Sequence, residues 1–389
     1  MRESVVVAYG RSAVARAGKK GTLRNTHPIE YGAEVLRGVL DKVPGLPLEE
    51  IDDVIIGCAK PEMAQRQNMA KLITLRAQLP YSVPAQTVNR FCASGLQSIA
   101  TAANMIAVGQ ADIVIAGGVE SMTSIPYMGI GDPAFKDQWL DSHEPGAYVS
   151  MGITAENVAK RFRITRGEME SFAVSSHQKA EQARQKGFLA KDIIPVHAAT
   201  DDGATSLFEQ DECIRPDTSA ARLAELKPCF LEDGLVTAGT SSPTSDGAAF
   251  VVLMSRQRAE ELNITPIARF ISFAVAGVDP SYMGIGPIAA IPKVMANSGL
   301  TIQDMSVIEL NEAFAAQAIP CIHELKLPEE KVNPNGGAIA LGHPLGATGS
   351  ILTCKALSQL RDIGGKYALV SMCIGGGMGA AGIFEVCDL

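Results

Sequence analysis

Two patterns of apolar residues alternate along this chain. Short runs dominated by aliphatic residues, at Val5–Tyr9, Asp53–Gly57 and Ile113–Gly117, read as strands buried on both faces. The longer stretches Pro28–Val43, Asn68–Ala77 and Ala93–Val108 repeat apolar residues every three or four positions and read as helices. In the last of these, Leu96, Ile99, Ala103, Ile106 and Ala107 share one face. The order then recurs, with a strand at Ile267–Ala276, a helix at Ile288–Asn297 and a strand at Met305–Leu310. A helix at Gly346–Leu360 and a last strand at Tyr367–Cys373 follow. This alternation predicts an α/β fold built on parallel or mixed sheets covered on both faces. Val88-Asn89 is echoed by Val332-Asn333, and Ala111–Gly118 by Tyr367–Gly377, so two similar halves are expected.

The segment from Ser121 to Ser241 breaks the pattern. It is richer in charge, holds the only tryptophan, Trp139, and has helical periodicity at Glu156–Arg163 and Glu168–Gln185. Ala198–Arg215 is polar and turn-rich, and the glycine-rich Thr237–Gly247 leads back to the core. The segment reads as an insertion that folds over the site. The expected organisation is a first half at residues 1–120, completed by about 242–262, an inserted domain at 121–241 and a second half at 263–389.

Composition narrows the function. The 389 residues are 47% hydrophobic and 20% charged, with a formal net charge of −8, which suits a large buried core and leaves no basic footprint for nucleic acid. Cysteines stand at 58, 92, 213, 229, 321, 354, 373 and 387, with no CxxC pair and no zinc spacing. That usage favours a reducing cytosol over a disulfide framework and gives no metal site. Met1–Ser4 and the short run Val5–Tyr9 lack a signal-peptide core. Val332–Cys354 carries no charge, but Pro334, Gly336, Gly337, Gly342, Pro344, Gly346 and Gly349 break any bilayer helix. A cytoplasmic protein without a membrane span is expected.

Four places carry chemistry. Cys92, in Asn89-Arg90-Phe91-Cys92-Ala93-Ser94-Gly95, is expected at a helix N-terminus, where free N–H groups and the helix dipole favour thiolate. A small buried cysteine is the plainer alternative. His343, between Gly342 and Pro344 in an uncharged run, is either a base or a core histidine. Cys373 ends a strand before Gly375-Gly376-Gly377, whose N–H groups suit an oxyanion pocket. Asn311, ahead of Glu312-Ala313-Phe314, suits a helix N-cap, a water holder or an oxyanion donor.

Taken together, Val88–Gly95, Asn311–Ala315, Gly336–Gly349 and Cys373–Gly379 resemble the motifs of the thiolase family, in the same order. Gly239–Ala249 and Met283–Pro287 also fit, so the resemblance runs from the first strand to the last residues. It implies a five-layer α/β/α/β/α core of two similar halves, with an inserted α+β loop domain that binds coenzyme A. It implies Cys92 as the acyl-accepting nucleophile, His343 as its base and Cys373 as a second acid/base. Asn311 would hold a water that, with His343, forms one oxyanion hole; the amides of Cys92 and Gly375 would form the other. Coenzyme A contacts carry over to Ser242, Met151, Met283, Phe314 and Arg215. The implied reactants are 3-ketoacyl-CoA, acetyl-CoA and coenzyme A, the last as co-substrate with no permanently bound cofactor, in a homodimer or homotetramer.

Short-chain acetoacetyl-CoA members usually place His before the Met-Gly of the segment Ser150-Met151-Gly152. Here Ser150 stands there, so the chain resembles the bacterial degradative 3-ketoacyl-CoA thiolases more. Ala93 and Thr240 depart from the pattern, where serine and asparagine are common. A β-ketoacyl synthase would carry a second histidine where Asn311 stands. A non-catalytic thiolase-like carrier would be expected to lack one of the four reactive positions.

Overall fold

The computed structural model describes residues 1–125 and 136–387. Its main strands are β1 (Ser4–Arg11), β2 (Asp53–Gly57), β3 (Ala85–Val88), β4 (Ile113–Ser121), β5 (Ser245–Ser255), β6 (Ala268–Gly277), β7 (Met305–Leu310), β8 (Tyr367–Ile374) and β9 (Met378–Val386). The helices that position the site are α1 (Pro28–Leu40), α2 (Met69–Arg76), α3 (Ser94–Ala107), α4 (Met151–Phe162), α5 (Arg166–Gln185), α6 (Gly286–Ser298), α7 (Ala315–Glu324) and α8 (Leu345–Ile363).

Strand order repeats in the two halves. In the first, β3, β2 and β4 run parallel, and β5 and β1 follow antiparallel. In the second, β7 and β8 are parallel, and β9 and β6 follow antiparallel. A parallel bridge from Ile308 to Val332 stands where β3 pairs with β2, which is the echo seen at Val88 and Val332. The halves join edge to edge at Val5↔Arg269 and Val6↔Ala268, between β1 and β6.

Alternation along each strand separates the layers, because neighbouring side chains point to opposite faces. Ile113 and Ile115 of β4 pack outward with Tyr31 and Leu36 of α1, while Val114 and Ala116 pack inward with Leu96 and Ile99 of α3. In the second half Leu369 and Ile308 pack outward with Ile291 of α6 and Ile322 of α7. Val370 and Val307 pack inward with Ile351 and Leu352 of α8. Helices α3 and α8 are thus the middle layer of a five-layer α/β/α/β/α core.

Three glycines set how closely that middle layer closes. A Cβ on Gly118 of β4 would stand 2.1 Å from the Gly346 carbonyl oxygen, and one on Gly95 of α3 would stand 2.8 Å from the same atom. A Cβ on Gly346 itself would stand 2.8 Å from Ala59 N. Backbone cannot yield by that much, so the first turn of α8 requires glycine on every side.

The structure corrects some sequence expectations. The last strand is β9, not Tyr367–Cys373; its Met-Gly-Ala-Ala-Gly start hides a strand that pairs along its length with β8 and β6. The polar stretch Ala198–Arg215 contributes to a small hairpin, Val196–Ala199 with Thr205–Phe208. The helix expected at Glu156–Arg163 begins earlier, at Met151. Trp139 is exposed and stacks on His143. Residues 126–135 of the expected insertion lie outside the described residues.

Candidate active site

Cys92 lies in a single 3₁₀ turn, Phe91–Ala93, so it precedes α3 instead of opening it. Ser94 Oγ ties the turn, accepting from Arg90 N at 2.8 Å and donating to Phe91 O at 2.7 Å. Asn89 Oδ1 accepts from Phe91 N at 2.8 Å, and Phe91 takes a φ of +42°, a left-handed value held by these bonds. The thiol is buried, and burial pushes it up to about 11. The amides of Gly375 and of Cys92 itself act the other way, and the nearby Glu120 adds to the rise. The expected thiolate is therefore corrected: desolvation outweighs the helix end, and Cys92 rests as a thiol.

His343 is buried, and its backbone bridges to Thr244, with its N–H shared between Pro243 O and Ser245 Oγ. Imidazole Nδ1 lies 2.6 Å from Thr348 Oγ1, whose hydroxyl lies 3.2 Å from Pro344 O. With the Thr348 hydroxyl donating to that carbonyl, Nδ1–H donates to Thr348 and the lone pair sits on Nε2. Nε2 is 3.4 Å from Asn311 Nδ2, a donor. Burial alone lowers the imidazole to about 4, so it is neutral at physiological pH.

Asn311 is not a helix cap, because α7 opens at Ala315 with Phe314 as its cap. Its backbone N–H instead donates to Ser371 O at 2.9 Å, continuing the β7–β8 ladder towards Cys373. Asn311 Oδ1 is buried and meets no protein donor. Cys373 is fully buried in an apolar cluster with Met283 and Phe314, against which Met151 packs. Burial first, and then the neighbouring Cys92 sulfur, beside which a second thiolate is disfavoured, push its thiol far up. Gly376 and Gly377, at φ of +79° and +80°, turn the chain into β9 at a bend open to glycine. The structure thus brings Cys92 together with Cys373 and the Gly375 amide, and pairs His343 with Asn311, whose backbone joins the strand that carries Cys373.

Of the other candidates, Ser242 donates its amide to Ala313 O at 2.9 Å, next to the bridge between Ser241 and Phe314. Met151 and Met283 pack into the Cys373 cluster. Thr240 caps a buried turn by accepting from Thr237 N. Arg215 is exposed, with its amide on His177 Nδ1, and these contacts do not tie it to the cysteines. Sequence reasoning missed three residues. Thr348 orients His343; its hydroxyl, five residues on in an uncharged run, was a usable signal. Glu120 closes the apolar run Ile113–Val119 as a lone carboxylate, which was another. Phe230, set edge-on to Phe314 at 5.9 Å, gave none.

Two family models cover nearly the whole chain: "Thiolase, N-terminal domain" over residues 4–257 and "Thiolase, C-terminal domain" over residues 264–386. The chain belongs to the thiolase family. This thiolase is 49% identical over 396 residues to the 3-ketoacyl-CoA thiolase of Bacillus subtilis (strain 168), covering 100% of both chains. Among solved structures it resembles the acetyl-CoA acetyltransferase of Bacillus anthracis, at 37% identity and a TM-score of 0.91, covering 100% of this chain and 99% of that one. It also resembles the dimeric peroxisomal thiolase of Saccharomyces cerevisiae, at 40% identity and a TM-score of 0.91, covering 99% and 98%.

Proposed function

We propose that this thiolase is an acetyl-CoA C-acyltransferase that cleaves 3-ketoacyl-CoA with coenzyme A, giving acetyl-CoA and a shortened acyl-CoA. The observation that carries the reading is the burial of two neighbouring thiols of unequal setting, with a buried neutral imidazole paired to Asn311 on the strand next to that of Cys373. His343 Nε2 takes the proton of Cys92 as the sulfur bonds to the 3-keto carbon. The C2–C3 bond breaks, its electron pair goes to the acetyl-CoA enolate, and Cys373 protonates C2. Coenzyme A then gives its thiol proton to the Cys373 thiolate and attacks the acyl thioester. Cys92 leaves as thiolate and recovers its proton from His343.

Both thiols resting protonated suits this sequence, since charge appears only as each step occurs. Asn311 Oδ1, unmatched by protein donors, would hold a water that donates with His343 to the enolate oxygen. The amides of Cys92 and Gly375, already turned to the Cys92 sulfur, would receive the acyl oxygen. One such donor is worth about 3 kcal/mol of barrier. Ser242, Met151, Met283, Phe314 and Phe230 would line the pantetheine path, with Arg215 at the nucleotide end.

Purified protein given a 3-ketoacyl-CoA and coenzyme A should form acetyl-CoA, and intact mass should show one acyl group on Cys92. Cys92→Ala should lose turnover by about 10⁴-fold or more; retained turnover would sink the assignment. The 3-ketoacyl-CoA name of the Bacillus subtilis relative and Ser150 support the degradative subtype. A short-chain acetyltransferase working towards condensation is the second reading, favoured by the name of the Bacillus anthracis neighbour. A chain-length series run in both directions separates them. We read the assembly as a homodimer or homotetramer, supported by the half-exposed edge strand β3. The eight free cysteines support a cytoplasmic setting.

A further inference from the structure

We infer that Glu120 is the positioning residue that sets the nucleophile and its base relative to one another, through a single buried carboxylate. The inference rests on the roles proposed for Cys92 and His343. Glu120 is the penultimate residue of β4 and is fully buried. Oε2 accepts from Ala59 N at 2.7 Å and from Gly346 N at 2.8 Å. Oε1 accepts from Gln65 Nε2 at 2.7 Å and Lys60 N at 3.3 Å.

These bonds reach both arms of the site. On one side Ala59 O accepts from Asn89 Nδ2 at 3.1 Å, and Asn89 Oδ1 holds the Phe91 amide next to Cys92. On the other, Gly346 lies three residues after His343, in the first turn of α8, where a helix leaves N–H groups free for an anion. Gly346 has no side chain, so Glu120 and the 58–60 loop reach the helix end directly. The carboxylate is thus a common anchor for two elements that come from different halves of the fold. The titratable groups that face it are Cys58, at 3.7 Å, Cys92, and Tyr31, whose hydroxyl donates to the Glu120 carbonyl. Asp246 in turn faces Tyr31.

Burial raises the Glu120 carboxyl, and the donors of Gln65, Ala59, Gly346 and Lys60 act against that rise. In its ionised form it opposes thiolate at Cys92, so ionisation of the sulfur awaits the proton's transfer to His343. Glu120→Gln keeps the shape, removes the charge and sets an NH₂ among donors. It should lower kcat on the order of 10²-fold, the cost of a small misplacement of reacting groups. The KM for coenzyme A should stay within about threefold. Iodoacetamide labelling of the Cys92 peptide, read by mass spectrometry, should shift to lower pH. Gln65→Met, which removes one of the donors, should move kcat in the same direction by a smaller factor, and it serves if Glu120→Gln does not fold. A folded Glu120→Gln enzyme with unchanged kcat and an unchanged labelling profile overturns the inference. The labelling readout needs no turnover, so it stays distinct from failure of the Cys92 role, which the Cys92→Ala assay reports.

Discussion

Strands β4 and β8 hold the same place in the two halves, each between a parallel and an antiparallel neighbour. Their ends differ in kind. Next to its last residue β4 carries Glu120, a carboxylate surrounded by N–H donors from loop, side chain and helix. Next to its last residue β8 carries Cys373, a thiol set among apolar side chains. On the proposed roles, one strand end fixes geometry and the other moves a proton. The comparison teaches that a repeated backbone does not repeat its chemistry. What decides is whether the terminal side chain is saturated with hydrogen bonds or left reactive.

The comparison breaks most sharply at Cys373. Cys373→Ala should lower kcat by about 10³-fold, within the usual range for a lost proton donor, while Cys92 still becomes acylated when the product is trapped and weighed. Normal turnover would mean that both strand ends are structural. A smaller effect is expected at Thr348, which orients the base. Thr348→Val takes away the acceptor for His343 Nδ1–H, and kcat should fall about tenfold, with Thr348→Ser restoring most of it. Equal losses in the two variants would show that packing, not the hydroxyl, matters.

The smallest effect expected is an absence of change. His343 is held down to about 4 from an ordinary 6.5, so its neutral base form persists through the mildly acidic range. The acid limb of kcat/KM should show no break near 6.5 and should fall only as pH approaches about 4. The sign for stability agrees: the contribution is full above 6.5 and is lost as pH falls through about 4, since protonation favours the unfolded chain. A kinetic break at the ordinary imidazole value would show that His343 is solvated in the working enzyme.

Much of this was legible in the residues. Aliphatic runs such as Val54-Ile55-Ile56 reported buried strands, because strands covered on both faces need no polar alternation. The echo of Val88-Asn89 in Val332-Asn333 reported the duplication, although the second copy makes only a bridge. β9 was not legible, since glycine and alanine at its start carry little strand propensity and its pairing with two neighbours overrides it. Cys92, His343, Asn311 and Cys373 could be named from their motifs. Their protonation could not, because it depends on burial that only the packed core creates. Glu120 was passed over because its partners are main-chain amides from residues 59, 60 and 346, which a sequence does not display.

The depth at which Cys92 is set has a consequence for its life between turnovers. Peroxides and electrophilic metabolites react with thiolates, and a sulfur held up at about 11 offers almost none at neutral pH. On the proposed role, the resting nucleophile should react slowly with such agents, and iodoacetamide labelling of the resting enzyme checks it. Slower oxidation would then come with the same burial that calls for a base.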